Sequence, residues 1–437
     1  MFKICFLGAG STVFAKNVLG DCILTPELGD FEIALYDIDM ARLEDSRLML
    51  DNINKNYGGR AEIRAFSDRR EALRNADFIV NAIQVGGYEP CTVTDFEVPK
   101  RFGLRQTIAD TLGIGGIFRA LRTIPVLEDF AEDIHAVAKP GALFINYTNP
   151  MAILTGYLIR ILGLNAVGLC HSVQACAKEL LDKLGMEEYR NGNNRWKIAG
   201  INHQAWLLEI TDLEGNDLYP EIKRRAETPD LEKAGNDLVR FEMMKRFGYY
   251  ITESSEHTSE YLPYFIKQKY PELIERFRIP LDEYPRRCIQ QIEGWKKMRE
   301  ELVSTDLKHE KTPEFASYII DAIRSDRPYR IHGNVMNGGL IPNLPHNACV
   351  EVPCLVDRNG VQPCFVGDLP EQCAALNRTN INVQLMTIEA ARTRKKDAVY
   401  MAAYLDPHTS SELSLDEIKA LCDALFEAHK GWLPEYR

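Results

Sequence analysis

The sequence has no surplus of positive charge, no CxxC pair, no apolar run long enough to span a bilayer, no internal repeat and no low-complexity linker. Each absence removes a class of function. Asp and Glu outnumber Lys and Arg by 63 to 52, and the net charge of −11 argues against nucleic acid or an anionic membrane as a partner, since both demand clustered cations. The eleven cysteines are odd in number and sit in apolar settings such as Lys3-Ile4-Cys5-Phe6-Leu7, with near-repeats only of the kind Cys170…Cys176. They read as reduced thiols of a cytoplasmic protein rather than as a disulfide framework. The N-terminal Lys and apolar run are too short for a secretion signal and end in a Gly turn, which makes them a strand.

What is present is an ordinary folded composition, 45% hydrophobic and 26% charged over 437 residues, a length that suits two closely packed domains. The first 150 residues alternate short β-like runs with helical patterns, the mark of a doubly wound parallel sheet. Strands are predicted at Phe2–Gly8, Phe31–Tyr36, Glu62–Phe66, Asp77–Ile83 and Ala142–Thr148, with a sixth at Ala166–Cys170. Amphipathic helices are predicted at Met40–Asn54 and at Ile117–Val137, the second interrupted at Ile124-Pro125. After Asn202 the pattern turns longer and more mixed, closing on a helical stretch at Asn380–Leu405 and a last helix near Leu415–His429. The expected fold is therefore α/β: an N-terminal Rossmann-type domain over 1–170 and a C-terminal mixed α+β domain over 171–437, in the manner of lactate and malate dehydrogenases.

The first predicted strand ends in Gly8-Ala9-Gly10-Ser11-Thr12-Val13. Two glycines permit a tight turn that brings backbone N–H groups up to a pyrophosphate at the next helix's N-terminus. The third glycine of the usual fingerprint is replaced by Val13. Asp37 follows the second strand where an acid would hold a ribose diol, and its charge would repel a 2′-phosphate, so NAD is favoured over NADP. Gly8, Gly10, Ser11, Thr12 and Asp37 are the predicted cofactor contacts, with Gln84 from the stretch after the fourth strand.

Four stretches are rich in residues with no evident packing role: Ile83–Tyr88, Asn146–Pro150, Cys170-His171-Ser172-Val173 and Gly200-Ile201-Asn202-His203. Each follows a predicted strand, and open α/β sheets bind ligands at the carboxyl ends of their strands. Cys170 and His203 lie 33 residues apart, far from any local zinc spacing, and by that measure read as a buried Cys and a satisfied His sooner than as a metal pair.

Together with Gly8-Ala9-Gly10-Ser11, Asn149-Pro150 and Asn202-His203, the Cys170 tetrapeptide makes the chain resemble the family-4 glycoside hydrolases. The likeness continues through Glu253-Ser254-Ser255-Glu256-His257, Tyr284-Pro285-Arg286-Arg287, Asn377-Arg378-Thr379-Asn380 and Pro407-His408-Thr409, so it spans essentially the whole chain. Cys-His-Ser-Val is the tetrapeptide form associated with α-galactosidases, and it implies an unphosphorylated α-galactoside such as melibiose. The resemblance implies redox-assisted elimination: oxidation at sugar C3 by NAD⁺, loss of the C2 proton, β-elimination of the glycosidic oxygen, addition of water and re-reduction. It implies Mn²⁺, or another divalent ion, held by Cys170 and His203. It also makes His171 the candidate acid for the leaving oxygen, with Glu256 and Tyr261 the candidate C2 bases and Glu256 preferred. Asn149, Asn202 and Arg287 are the expected sugar contacts, and a cytoplasmic homodimer or homotetramer is the expected state.

Other readings remain. α-Glucosides or α-galacturonides would suit the same chemistry. A 2-hydroxy-acid dehydrogenase shares the fold, and Arg101, Arg105 or Arg119 could clamp its carboxylate, yet it has no need of Cys170 or of so long a C-terminal half. An NAD-binding sensor without turnover would have no use for a Cys–His metal pair.

Overall fold

In the computed structural model, which describes residues 1–190, 192–235 and 237–437, twelve strands form one sheet. The strands are β1 (Phe2–Leu7), β2 (Phe31–Tyr36), β3 (Ala61–Phe66), β4 (Phe78–Asn81), β5 (Leu143–Asn146), β6 (Ala166–Gly168), β7 (Arg195–Ile201), β8 (Gln204–Thr211), β9 (Tyr250–Ile251), β10 (Tyr329–Met336), β11 (Cys349–Asp357) and β12 (Gly360–Pro363). The first six run parallel in the order β3-β2-β1-β4-β5-β6. A parallel strand is covered on both faces, so its sequence need not alternate. β1, β4 and β5 are apolar runs buried at every position. Lys3 is the exception in charge, and its ammonium reaches Glu32 at 3.2 Å instead of entering the core.

The order reverses between β1 and β4, the switch point where such sheets open a crevice. Beyond β6 the sheet continues without a gap. β10 pairs antiparallel with β6 through Asn334 and Gly168, then β11, β7, β8 and β9 follow, all antiparallel. Asn334 also faces Glu351, and Glu351 faces Gly200, so one row crosses from the parallel half to the antiparallel half. The apolar residues of both halves join in one core, with a smaller cluster (Val173, Leu180, Ile198, Leu207, Tyr250) beneath β7 and β8.

Two helices depart from the sequence reading. Gly113–Val137 is continuous across Pro125, because the buried face on either side holds it in place although the Leu121 carbonyl loses its N–H partner. The predicted Asn380–Leu405 helix is two, Glu371–Thr393 and Lys396–Leu405, parted at Arg394 (φ 55°). Arg437 bridges the break: it donates to the Arg394 carbonyl and accepts from the Lys396 N–H, both at 2.9 Å. No helix among the described residues is long and apolar enough to cross a membrane.

Candidate active site

At the switch point, Gly8 takes φ 88°, and a Cβ there would lie 2.7 Å from the Ala82 carbonyl oxygen, so both the turn and the close approach of β4 require glycine. The Gly8 and Ala9 N–H groups donate to the Tyr36 carbonyl, and Ser11 donates to Gly8. The Asp37 carboxylate folds over the loop, accepting from Gly10 N at 2.7 Å and Asp39 N at 2.8 Å. Thr12 is buried and bonded to the Ser46 hydroxyl at 3.0 Å, which ties the helix Thr12–Ile23 to Met40–Asn56. Gln84 lies exposed across the crevice, its amide 3.4 Å from the Thr92 hydroxyl. Of the six predicted cofactor contacts, Gly8, Gly10, Ser11, Thr12 and Asp37 thus share the turns after β1 and β2, and Gln84 follows β4, the neighbour of β1.

Three groups converge beside it. Cys170 follows β6, His203 sits in the turn between β7 and β8, and Glu253 follows β9; one ligand atom from each lies within 4.8 Å of the others. Glu253 Oε2 is 3.9 Å from Cys170 Sγ and 3.6 Å from His203 Nε2. His203 reaches this position from a left-handed backbone (φ 62°), uncommon for a residue with a side chain. Burial, with Glu351 and Glu253 nearby, pushes the Cys170 thiol well above its ordinary pKa, and burial lowers His203 to about 4. Burial also works against the Glu253 charge, but the imidazoles of His203 and His257 outweigh it and hold this carboxyl at about 2.

His257 stands edge-on to His203 with ring centres 4.4 Å apart, between Glu253 (3.9 Å) and Asp110 (3.7 Å). Burial opposes its charge, yet the Asp110 and Glu253 carboxylates carry its pKa up to about 9. Asp110 also accepts from Asn149 Nδ2 at 3.0 Å and Thr111 Oγ1 at 2.6 Å. Asn202 is buried with both amide atoms unpartnered among the described residues, as expected of a group that binds something else.

His171, the residue ahead of the helix Ser172–Lys183, is half exposed and holds Glu314 at 2.7 Å through Nε2. Burial alone would lower its pKa, but Glu314 raises it. Tyr261 is buried with its ring centre 6.3 Å from that of His203. Glu256 is buried on the same helix, Ser255–Tyr261, and accepts from Arg287 Nη2 at 3.0 Å. The geometry therefore brings Cys170, His203, Tyr261 and Asn149 around one cleft, while Glu256 and Arg287 form an ion pair with each other.

The chain matches two family models: the family 4 glycosyl hydrolase model over residues 3–186 and the family 4 glycosyl hydrolase C-terminal domain over residues 198–409. It is 60% identical to an α-galactosidase of Bacillus subtilis (strain 168), with 100% of each chain covered. This chain belongs to glycosyl hydrolase family 4. It is 35% identical to an α-galactosidase of Rhizobium meliloti (strain 1021), over 100% of this chain and 90% of that one. Among solved structures, a 6-phospho-α-glucosidase from gut microorganisms in complex with NAD and Mn²⁺ superimposes with a TM-score of 0.80 at 21% identity, covering 100% of both chains, a likeness of fold.

For this family 4 chain the sequence reading passed over Glu253, Asp110, His257 and Glu314. Glu253 lies in a stretch already singled out, but β9 is two residues long, too short to show a period and so to reveal that Glu253 stands at a strand end. Asp110 belongs to a loop of mixed polar and apolar residues without periodicity, and no local signal marks it.

Proposed function

We propose that this chain hydrolyses unphosphorylated α-galactosides of the melibiose kind, using NAD⁺ and a divalent metal, Mn²⁺ foremost. The observation that carries the reading is the meeting of Cys170, His203 and Glu253 beside the Gly8–Asp37 crevice. The likeness to α-galactosidases at 60% identity supports the galactoside.

The residues fit both cofactors. A buried thiol among carboxylates ionises poorly alone and readily when it shares a cation, while the neutral His203 ring offers a free lone pair. The Gly8 turn and Asp37 would hold the dinucleotide. When bound, NAD⁺ supplies an acceptor for the electron pair lost at sugar C3, and the metal supplies Lewis acidity toward the C2 and C3 oxygens. Asn149 and Asn202 present amides to the sugar hydroxyls. His171, whose pKa Glu314 raises against the effect of burial, delivers a proton to the departing oxygen. Of the two candidate C2 bases the geometry favours Tyr261, since Glu256 is occupied by Arg287. Burial and Asp110 push the Tyr261 hydroxyl well above its ordinary pKa, so it gives up its proton only when positive charge enters the cleft. Arg287 orders the rim through Glu256 and Glu283. A homodimer or homotetramer working in the cytoplasm completes the proposal.

The test is release of 4-nitrophenol from its α-galactoside by reduced protein stripped of cofactor. We expect turnover only when NAD⁺ and Mn²⁺ are both restored, and its loss with EDTA. Turnover by stripped protein without NAD⁺ would rule out the redox route, and activity confined to α-glucosides or α-galacturonides would move the substrate.

A further inference from the structure

The loop over residues 106–111, between two helices, is bonded to three separate segments of the chain. The Gln106 and Thr107 carbonyls accept from the N–H groups of Asp282 and Tyr284 at 2.9 and 3.1 Å, where the helix bearing Arg287 begins. The Thr107 hydroxyl donates to the Glu256 carbonyl at 2.7 Å. Asp110 reaches Asn149 and His257, as described. Within this loop Ala109 is buried with φ 51°, a left-handed conformation that costs an L-residue about 1–2 kcal/mol.

What holds that conformation is Glu260. Its side chain is buried, and its carboxylate accepts three successive backbone N–H groups: Thr107 at 2.5 Å, Ile108 at 3.0 Å and Ala109 at 3.2 Å to Oε1, with Ala109 at 3.1 Å to Oε2. No Lys or Arg pairs with it among the described residues' salt bridges, so the backbone donors are its principal partners. A buried carboxyl spent on three adjacent amides fixes the direction in which the chain leaves Ala109, and hence where Asp110 points.

We propose that Glu260 is a positioning residue: by gathering the Thr107, Ile108 and Ala109 amides it holds Ala109 left-handed and sets the Asp110 carboxylate against Asn149 and His257. Without it Ala109 relaxes, Asp110 swings away, and Asn149 loses the partner that orients its amide. The inference rests on the reading of the cleft as a glycosidase site, but its structural half does not.

Two measurements separate the halves. In hydrogen exchange, Glu260→Ala loses protection at 107–109 while Glu260→Gln, whose amide oxygen still accepts, keeps it. In turnover of 4-nitrophenyl α-galactoside with NAD⁺ and Mn²⁺, the alanine variant falls by about 100-fold in kcat, with NAD⁺ affinity close to that of the parent, and the glutamine variant returns to within about fivefold. Ala109→Gly in the alanine background recovers part of the loss, because glycine takes the left-handed state freely. Should Glu260→Ala fail to fold, Glu260→Asp, one methylene short, replaces it in both assays. Unchanged protection at 107–109, or a loss of turnover that glutamine does not restore, overturns the proposal. If the parent protein turns over no galactoside, the substrate reading falls, and the exchange data alone decide the role of Glu260.

Discussion

Cys170, His203 and Glu253 come from three strand ends far apart in sequence; burial favours the neutral form of His203, the nearby imidazoles favour the Glu253 carboxylate, and burial disfavours the Cys170 thiolate. Replacing Cys170 by Ser keeps the volume but substitutes a hydroxyl that does not ionise near neutral pH. Mn²⁺ affinity of Cys170→Ser is expected to drop by at least about 100-fold, larger than the usual penalty for disturbing a ligand's outer partner, while thermal unfolding stays near the parent value. Titration of free Mn²⁺ by electron paramagnetic resonance reads the first quantity, and unchanged affinity would remove Cys170 from the ligand set. At this scale the sequence is legible where a residue ends a strong strand or belongs to a recurrent motif, as Cys170 and His203 do. It is opaque where the residue's meaning depends on what faces it. Nothing in Glu256 or Arg287 announces that they pair, nor in Glu314 that it meets His171 from 143 residues away.

Among elements, the turn after β1 makes the sharpest demand. Gly8→Ala must hold φ near 88° and push its methyl into the Ala82 carbonyl. We expect about 1–2 kcal/mol of destabilisation from the backbone alone. A further loss of NAD⁺ binding should follow, because β4 must retreat from the crevice; calorimetric titration with NAD⁺ measures it. The parallel half is readable in advance because a buried parallel strand is a mainly apolar run, and β1, β2 and β5 declare themselves that way despite Lys3 and Glu32. The antiparallel half is not: β7 opens with Arg195 and Lys197, β12 is exposed at its end, and β9 has two residues. The break at Arg394 is equally hidden, because the residues around it contain neither Gly nor Pro and its hydrogen-bond partner, Arg437, lies 43 residues further along (437 − 394).

For the molecule as a whole, acid sensitivity follows from imidazoles kept neutral by burial. Burial, with Arg330 adding to it, lowers His332 from its ordinary 6.5 to about 3. The native state therefore refuses a proton that the unfolded chain accepts below 6.5. Its contribution to stability is full above that pH and is lost as the pH falls from 6.5 towards 3, with a slope of up to about 1.4 kcal/mol per pH unit. His332→Leu should flatten that part of the profile in urea titrations run from pH 7 to pH 4, and a parallel profile for both proteins would discount His332. Because the sheet is continuous through β6 and β10, both halves should unfold in one calorimetric transition; two separable transitions would contradict the shared core.

The row Gly168–Asn334–Glu351–Gly200 has a mechanical meaning as well. Cys170 stands two residues past one end of it and His203 three past the other, so the row works as a ruler that sets how far apart their backbones start before the two side chains reach back to within 4.8 Å of each other. The ruler is clamped at Gly168, where a methyl would collide with Met151 Sδ at 2.5 Å and Thr155 Oγ1 at 2.6 Å. Variation in β10 or β11, remote in the chain from either residue, thus acts as a change of calibration, expected to shift the separation of Cys170 and His203.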